Sequence, residues 1–191
     1  MLRVAALSKI IVDNWNGPAI NKPAIITACV IHDIAKPVMF DLSKQAQYGM
    51  SGKEISDLYK LQELIKTKFG TDEHSATVEM CKDLGAGKDV IKILENIEWE
   101  FIPRLLKNNN LEPLVGIYCD MRISPDGIHK MADRFENLSK REGPGYHNFE
   151  QVARDGNILE QTIQENVKID LNSVTDQDLN PLFFELLNLE V

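Results

Sequence analysis

Cysteine is scarce: Cys29, Cys81 and Cys119 are the only three in 191 residues. The number is odd, each lies in apolar company, and none forms a Cys-x-x-Cys pair. A disulfide scaffold and a zinc knuckle are therefore excluded, and the simple expectation is reduced thiols in a cytoplasm. No apolar run reaches the ~18 residues of a membrane span. The start lacks the basic-then-apolar layout of a signal peptide, so neither membrane nor export is expected. Basic charge is in deficit. Lys and Arg number 21 against 29 Asp and Glu, a formal net charge of -8. A nucleic-acid polymer is not an expected partner, because contacts along a phosphate backbone need Lys and Arg. A small phosphorylated ligand stays open, since a local basic cluster or a metal can reverse the field inside one pocket. Glycine-rich phosphate loops of the Walker or Rossmann type are absent, as are internal repeats and low-complexity tracts.

What is present is a 43% hydrophobic chain with a helical apolar period almost throughout. Leu2, Ala5, Ala6, Ile10 and Ile11 form a first stripe, ending near Asn16-Gly17-Pro18. A second helix is expected over 23–36, with Pro23 at a tolerated early position and Pro37 beyond its end. Residues 41–53 read as a loop. Helix resumes over 51–70, with Ile55, Leu58, Leu61, Leu64 and Ile65 on one face, then over 71–84, 88–99 and a short piece at 103–107. The strongly apolar stretch 111–121 reads as a buried helix, although its Val-Gly-Ile-Tyr content imitates a strand. Ser124-Pro125-Asp126-Gly127 is a loop, 129–141 a helix, and Gly143-Pro144-Gly145 a break, before helices at 149–167 and 179–189. The expected fold class is all-α, a compact multi-helix bundle of about eight to ten helices. It divides into a core, residues 1–145, and a C-terminal helical extension, 146–191, packed on that core.

His32 and Asp33 stand side by side at the end of the apolar run Ala24, Ile25, Ile26, Ala28, Cys29, Val30, Ile31. Neighbours on a helix are about 100° apart, and at a helix end both can converge on one point. They are too few to hold a divalent cation tightly. Asp120, in "GIYCDMR", ends a second apolar helix, where an unpartnered carboxylate would be expensive. A metal shared by His32, Asp33 and Asp120 accounts for both acids. Mixed imidazole and carboxylate donors suit Mn, Fe, Mg, Zn or Co better than a metal that prefers thiolates.

His32-Asp33 followed by Ile34-Ala35-Lys36, with "CDMRISPDGI" leading into "RFENLSKR", resembles the HD-domain superfamily of metal-dependent phosphohydrolases. The resemblance covers roughly residues 1–141. It implies an all-helical fold, a bound divalent metal held by His32, Asp33 and Asp120, and hydrolysis of a phosphate ester or anhydride of a small molecule, often a nucleotide. One departure is visible. The family's first His stands on the preceding helix, four residues before a Val, and Val4 places that position directly before Met1. The expectation is a natural start upstream of Met1. Loss of the ligand in a metal-poor relative, or a vector-derived His filling the position, are the competing readings.

The resemblance also implies roles for other residues. Lys36 is the expected phosphate contact; otherwise it is a cation that favours a helix C-terminus. His74, in "GTDEHSATVEM", occupies a middle helix where relatives aim a His at the phosphate, and it could donate to the phosphoryl group or the leaving oxygen. Alternatively it is an exposed His beside acidic caps. Arg122 could grip phosphate bidentately or pair with an acid nearby. Asp33 would orient or deprotonate water as well as bind metal, making Asp33, Lys36 and His74 the expected catalytic set and Lys36, Arg122 and His74 the expected substrate contacts. His129 and His147 read as surface, Trp15 and Trp99 as core or interface, and Asp126 as a turn residue. Two rival functions are a degenerate HD-type nucleotide-binding or regulatory module and a helical scaffold with an acidic surface. The C-terminal "NPLFFELLNLE", with Phe183, Phe184, Leu186 and Leu187, could cover the core or join a homodimer.

Overall fold

The computed structural model describes residues 1–142 and 149–188. The expected break at 143–145, the division at 145/146 and His147 lie outside the described residues. Eleven α-helices are found within them: α1 (Leu2–Asp13), α2 (Lys22–Ile31), α3 (Gly52–Phe69), α4 (Glu73–Asp83), α5 (Lys88–Leu94), α6 (Ile102–Lys107), α7 (Leu111–Arg122), α8 (Met131–Glu142), α9 (Phe149–Glu165), α10 (Asp176–Leu179) and α11 (Phe183–Leu187). The only sheet among the described residues is a hairpin of β1 (Ile123–Ser124) and β2 (Gly127–Ile128). The all-α reading therefore holds. The short α10 is the helix beyond the expected ten at most, too brief to show a period. Among the described residues no helix is long and apolar enough to cross a membrane.

Local chemistry explains where the helices begin. The Asn21 side chain accepts from the Ala24 N–H at 3.2 Å, capping α2 ahead of Pro23. Ser51 and Glu54 form a reciprocal capping box on α3, and Asp72 caps α4. The stretch 111–121, whose composition imitates a strand, is helix α7. It is the hub of the molecule: Leu114, Val115, Tyr118 and Cys119 are fully buried, and it packs against α1, α2 and α9. Leu159 and Ile163 of α9, with Leu171, Leu179 and Leu186 beyond it, join the same hydrophobic cluster as Leu7, Ile11 and Ile25. Backbone bonds also tie the two ends together: Asn16 N–H donates to Asn166 O and Lys168 N–H to Asn14 O, both at 3.0 Å.

A second, smaller cluster holds Ala35, Val38, Ile65 and Ala76. It seats the turn after α2 on α3 and α4. Here α3 differs from expectation. Leu61 and Leu64 are 42% and 62% exposed, and the inward face is Leu58, Gln62, Ile65 and Phe69. The reason is Gln62, whose amide donates to the backbone carbonyls of Pro37 and Phe40 at 2.9 Å each and of Val38 at 3.3 Å. A buried amide that donates to three carbonyls of the turn outweighs a fully apolar stripe.

Candidate functional site

Helix α2 stops at Ile31, earlier than the expected 36. Pro37 disfavours helical backbone at the residue before it, and the chain tightens into successive turns in which Ile34, Lys36 and Val38 N–H donate to the carbonyls of Ile31, Asp33 and Ala35. Thr77 Oγ1 of α4 accepts from Ala35 N–H at 3.3 Å and fixes that turn. His32 and Asp33 are thereby turned toward the last turn of α7, which carries Asp120. His32 Nδ1 lies 2.9 Å from Cys29 O, an arrangement that puts a proton on Nδ1 and aims Nε2 outward. His32 Nε2 is 3.3 Å from Asp120 Oδ1 and 3.8 Å from Asp33 Oδ1. His32 is thus near both carboxylates.

Electrostatics follow the geometry. Burial works to lower the His32 pKa, but the Asp120 hydrogen bond and the charges of Asp120 and Asp33 outweigh it and raise the imidazole to about 9. Enclosure by the cleft walls pushes Asp120 up, and His32, Lys36 and Arg134 more than offset it, leaving the carboxylate below its ordinary range. Lys36 Nζ lies 3.3 Å from Asp33 Oδ1 and 3.9 Å from Glu73 Oε2. Burial lowers its pKa and these two carboxylates raise it further, so it stays a cation.

A cleft of about 200 Å³ opens beside the trio, walled by Lys36, Glu73, His74, Glu98 and Trp99. His74, at the start of α4, faces it and sits 3.0 Å from Glu98 Oε1. That hydrogen bond raises the His74 pKa against the opposing effect of burial. Trp99 is partly buried between the cleft and Phe135, whose ring meets it edge-on at 6.0 Å. Trp15 belongs to the core, with Nε1 donating to Pro18 O at 2.7 Å. A larger cleft of about 740 Å³ adjoins the trio on its other side, bounded by the first residues of α1, the β1–β2 turn, Arg134 and Phe183.

Arg122 is a correction. Its side chain is 1% exposed and points into the core, away from both clefts. It donates to His129 O, Tyr118 Oη and Leu171 O and lies 3.8 Å from Glu160. Its work is to lock α7 to the hairpin and to the C-terminal segment. His129 pairs with Asp126 at 3.1 Å, and the Asp126 carboxylate, held mainly by Ser124, drops to about 2. Asp126 and Ser124 thus build the turn, as expected of Pro-Asp-Gly. Gly127 is required there: its φ is +139°, and a Cβ would strike the Asp176 carboxylate.

One imidazole with its Nε2 turned outward and two carboxylates are a chemically suitable donor set for Mn, Fe, Mg, Zn or Co. The Nδ1 contact to a backbone carbonyl is the outer support that metal-binding imidazoles ordinarily have. Among the described residues no three His, Cys, Asp or Glu side chains are already gathered as a metal site. Gln62, Thr77, Glu73, Glu98, Arg3 and Arg134 were not visible as site residues from the sequence. Only Gln62 left a trace, a polar residue inside the α3 apolar pattern. Comparison with family models, with curated proteins and with solved structures finds no match to this chain.

Proposed function

We propose that the chain is a metal-dependent phosphohydrolase acting on a small phosphorylated molecule, a nucleotide being the favoured class. The observation that carries the reading is the meeting of His32, Asp33 and Asp120 from two helices at the mouth of a cleft that also presents Lys36 and His74. His32, Asp33 and Asp120 would hold the divalent cation. Such a cation, when bound, supplies an acidified water and neutralises phosphoryl charge.

The chain's own groups do the rest. Asp33 orients the attacking water and can accept its proton. Lys36, kept cationic by Asp33 and Glu73, stabilises the phosphoryl oxygens as charge builds on them. His74, whose proton is retained by Glu98, donates to the phosphoryl group or the leaving oxygen. Three buried free thiols fit a reducing cytoplasm as the place of action.

The test is a phosphatase assay on a panel of phosphate esters and anhydrides with added Mn, alongside Mn binding followed by electron paramagnetic resonance. Asp120→Asn and His32→Ala should lower activity by at least about 100-fold, since even outer supports of a metal ligand are worth ~10–100-fold. Turnover that survives both substitutions would sink the reading. A second reading has one observation in its favour: the His32–Asp120 contact is a complete ion pair without any metal. A nucleotide-binding regulatory module would bind a nucleotide, hydrolyse nothing, and ignore Mn.

A further inference from the structure

Gly116 stands in the middle of α7, where glycine destabilises a helix interior relative to alanine. Its surroundings show what the missing side chain permits. A Cβ there would lie 2.8 Å from Ile97 Cδ1, 3.2 Å from Ile97 Cγ1 and 3.8 Å from Cys29 Sγ. Ile97 therefore rests on bare helix backbone, closer to α7 than a side chain at 116 would allow. Gly116 is also four residues before Asp120, so the two share one face of the helix.

Ile97 opens the segment Ile97-Glu98-Trp99 between α5 and α6, and all three residues wall the smaller cleft. Glu98 is the partner of His74 there. Ile97 and Trp99, with Ile117 and Met121 of α7, supply every apolar residue of the lining; the rest of it is charged or imidazole. Metal binding and hydrolysis make no use of these four. Trp99 Nε1 is buried without a hydrogen-bond partner, so packing sets the indole, in part against the edge-on Phe135 ring. At about 200 Å³ the cleft falls short of the ~300–1,000 Å³ of drug-sized sites. An apolar space of ~150 Å³ nevertheless takes one benzene ring.

We propose that the Ile97–Trp99 segment is the leaving-group wall of the smaller cleft and that Gly116 sets its depth. The group it takes is a single flat, apolar ring, aryl or heteroaryl, carried close to the ester oxygen. Anything larger extends out of the cleft. Ile97 and Trp99 determine specificity, and Gly116 is a positioning residue that acts through Ile97. Assigning the ring to a leaving group rests on the phosphohydrolase reading, but the preference for a ring beside the phosphoryl group can be tested without turnover.

The experiment is calorimetric titration of the full chain, with and without Mn, with phenylphosphonate and with methylphosphonate. Neither has an ester bond to hydrolyse, so binding is read apart from catalysis. Wild type should bind phenylphosphonate about tenfold more tightly, as expected from half-burying one ring. Trp99→Leu, which keeps bulk but not the ring, should erase most of that preference. Gly116→Ala, which drives the end of Ile97 toward the cleft, should weaken phenylphosphonate by about the same factor and leave methylphosphonate unchanged. Adding Ile97→Ala to Gly116→Ala should restore part of the loss, a coupling that a merely structural role for Gly116 would not produce. Thermal melts by circular dichroism identify a variant that fails to fold, and Trp99→Leu decides if Gly116→Ala is that variant. Binding of neither phosphonate, equal binding of both by wild type, or a preference that Trp99→Leu or a folded Gly116→Ala leaves intact overturns the proposal. So does a Gly116→Ala loss that falls on both ligands alike or that Ile97→Ala does not relieve. Hydrolysis of phosphate esters without any ring preference leaves the hydrolase reading standing alone. A ring preference without hydrolysis or Mn binding leaves the wall standing as a ligand site and removes the hydrolase.

Discussion

His74 and Glu98 hold each other 3.0 Å apart on the cleft wall, with side chains 25% and 39% exposed. The hydrogen bond raises the imidazole pKa above its ordinary 6.5. The sign of the consequence is fixed. A raised folded pKa means stability that is fully present below pH 6.5 and lost as pH rises through the folded value. Because both groups reach solvent, the amount is about 0.2–1 kcal/mol. The proton titration of the His74 ring, followed by nuclear magnetic resonance, should have its midpoint above 6.5 in wild type and move down in Glu98→Gln. A midpoint unmoved by that substitution would show that the pair is not formed. For two other residues the sequence held more than its first reading drew out. Asp120 and Arg122 are two apart on one helix, and positions i and i+2 do not share a face. Once Asp120 faces the cleft, Arg122 must face the core, where Tyr118, one turn earlier, receives it. The nearness of His32 to Asp33 and Asp120 was legible for the opposite reason: each is a polar group at the end of an apolar run, where the chain leaves the core.

Elements place those side chains, and the decisive one is the turn after α2. Had α2 run to Lys36, Lys36 would neighbour both His32 and Asp33, but those two would point about 100° apart. Ending it at Ile31 brings His32, Asp33 and Lys36 to one rim. Pro37 announced an end but not where the helix would loosen, because the local bonds that replace it depend on α3 and α4. Gln62 is the clearest case. Its three acceptors lie 22 to 25 residues away in sequence, so periodicity could only read the position as an interruption. Gln62→Leu keeps the volume and apolar fit but leaves the carbonyls of Pro37, Val38 and Phe40 without this donor. It should destabilise the protein by about 1–3 kcal/mol, the cost of buried polar groups left unpaired. Urea denaturation measures that loss. A variant as stable as wild type would mean that water satisfies the carbonyls and that α3 does not hold the turn.

At the scale of the whole molecule, composition gave the fold class, and the described part of the C-terminal extension expected to pack on the core shares one interior with it. Leu159 and Ile163 of α9 are fully buried in the same cluster as Leu7 and Ile25. Trp15, near the end of α1, bridges to Val167 just after α9. Gly and Pro punctuation marks where the chain turns and not whether the two sides share a core. The structure gives the C-terminal segment a second task, since Asp176 holds Arg3 at the larger cleft and Phe183 lines it. Folding should therefore be one cooperative event. Single-tryptophan variants Trp15→Phe and Trp99→Phe place a probe on one side of the molecule or the other. Their fluorescence transitions in urea should coincide with each other and with far-ultraviolet circular dichroism. Leu159→Ala, which empties a fully buried site on α9, should cost about 2–5 kcal/mol and shift all probes together. A shift confined to the Trp15 signal, with Trp99 unmoved, would show that α9 and the segment after it unfold alone. In that case the residues that fix Arg3 would come and go independently of the His32, Asp33 and Asp120 trio.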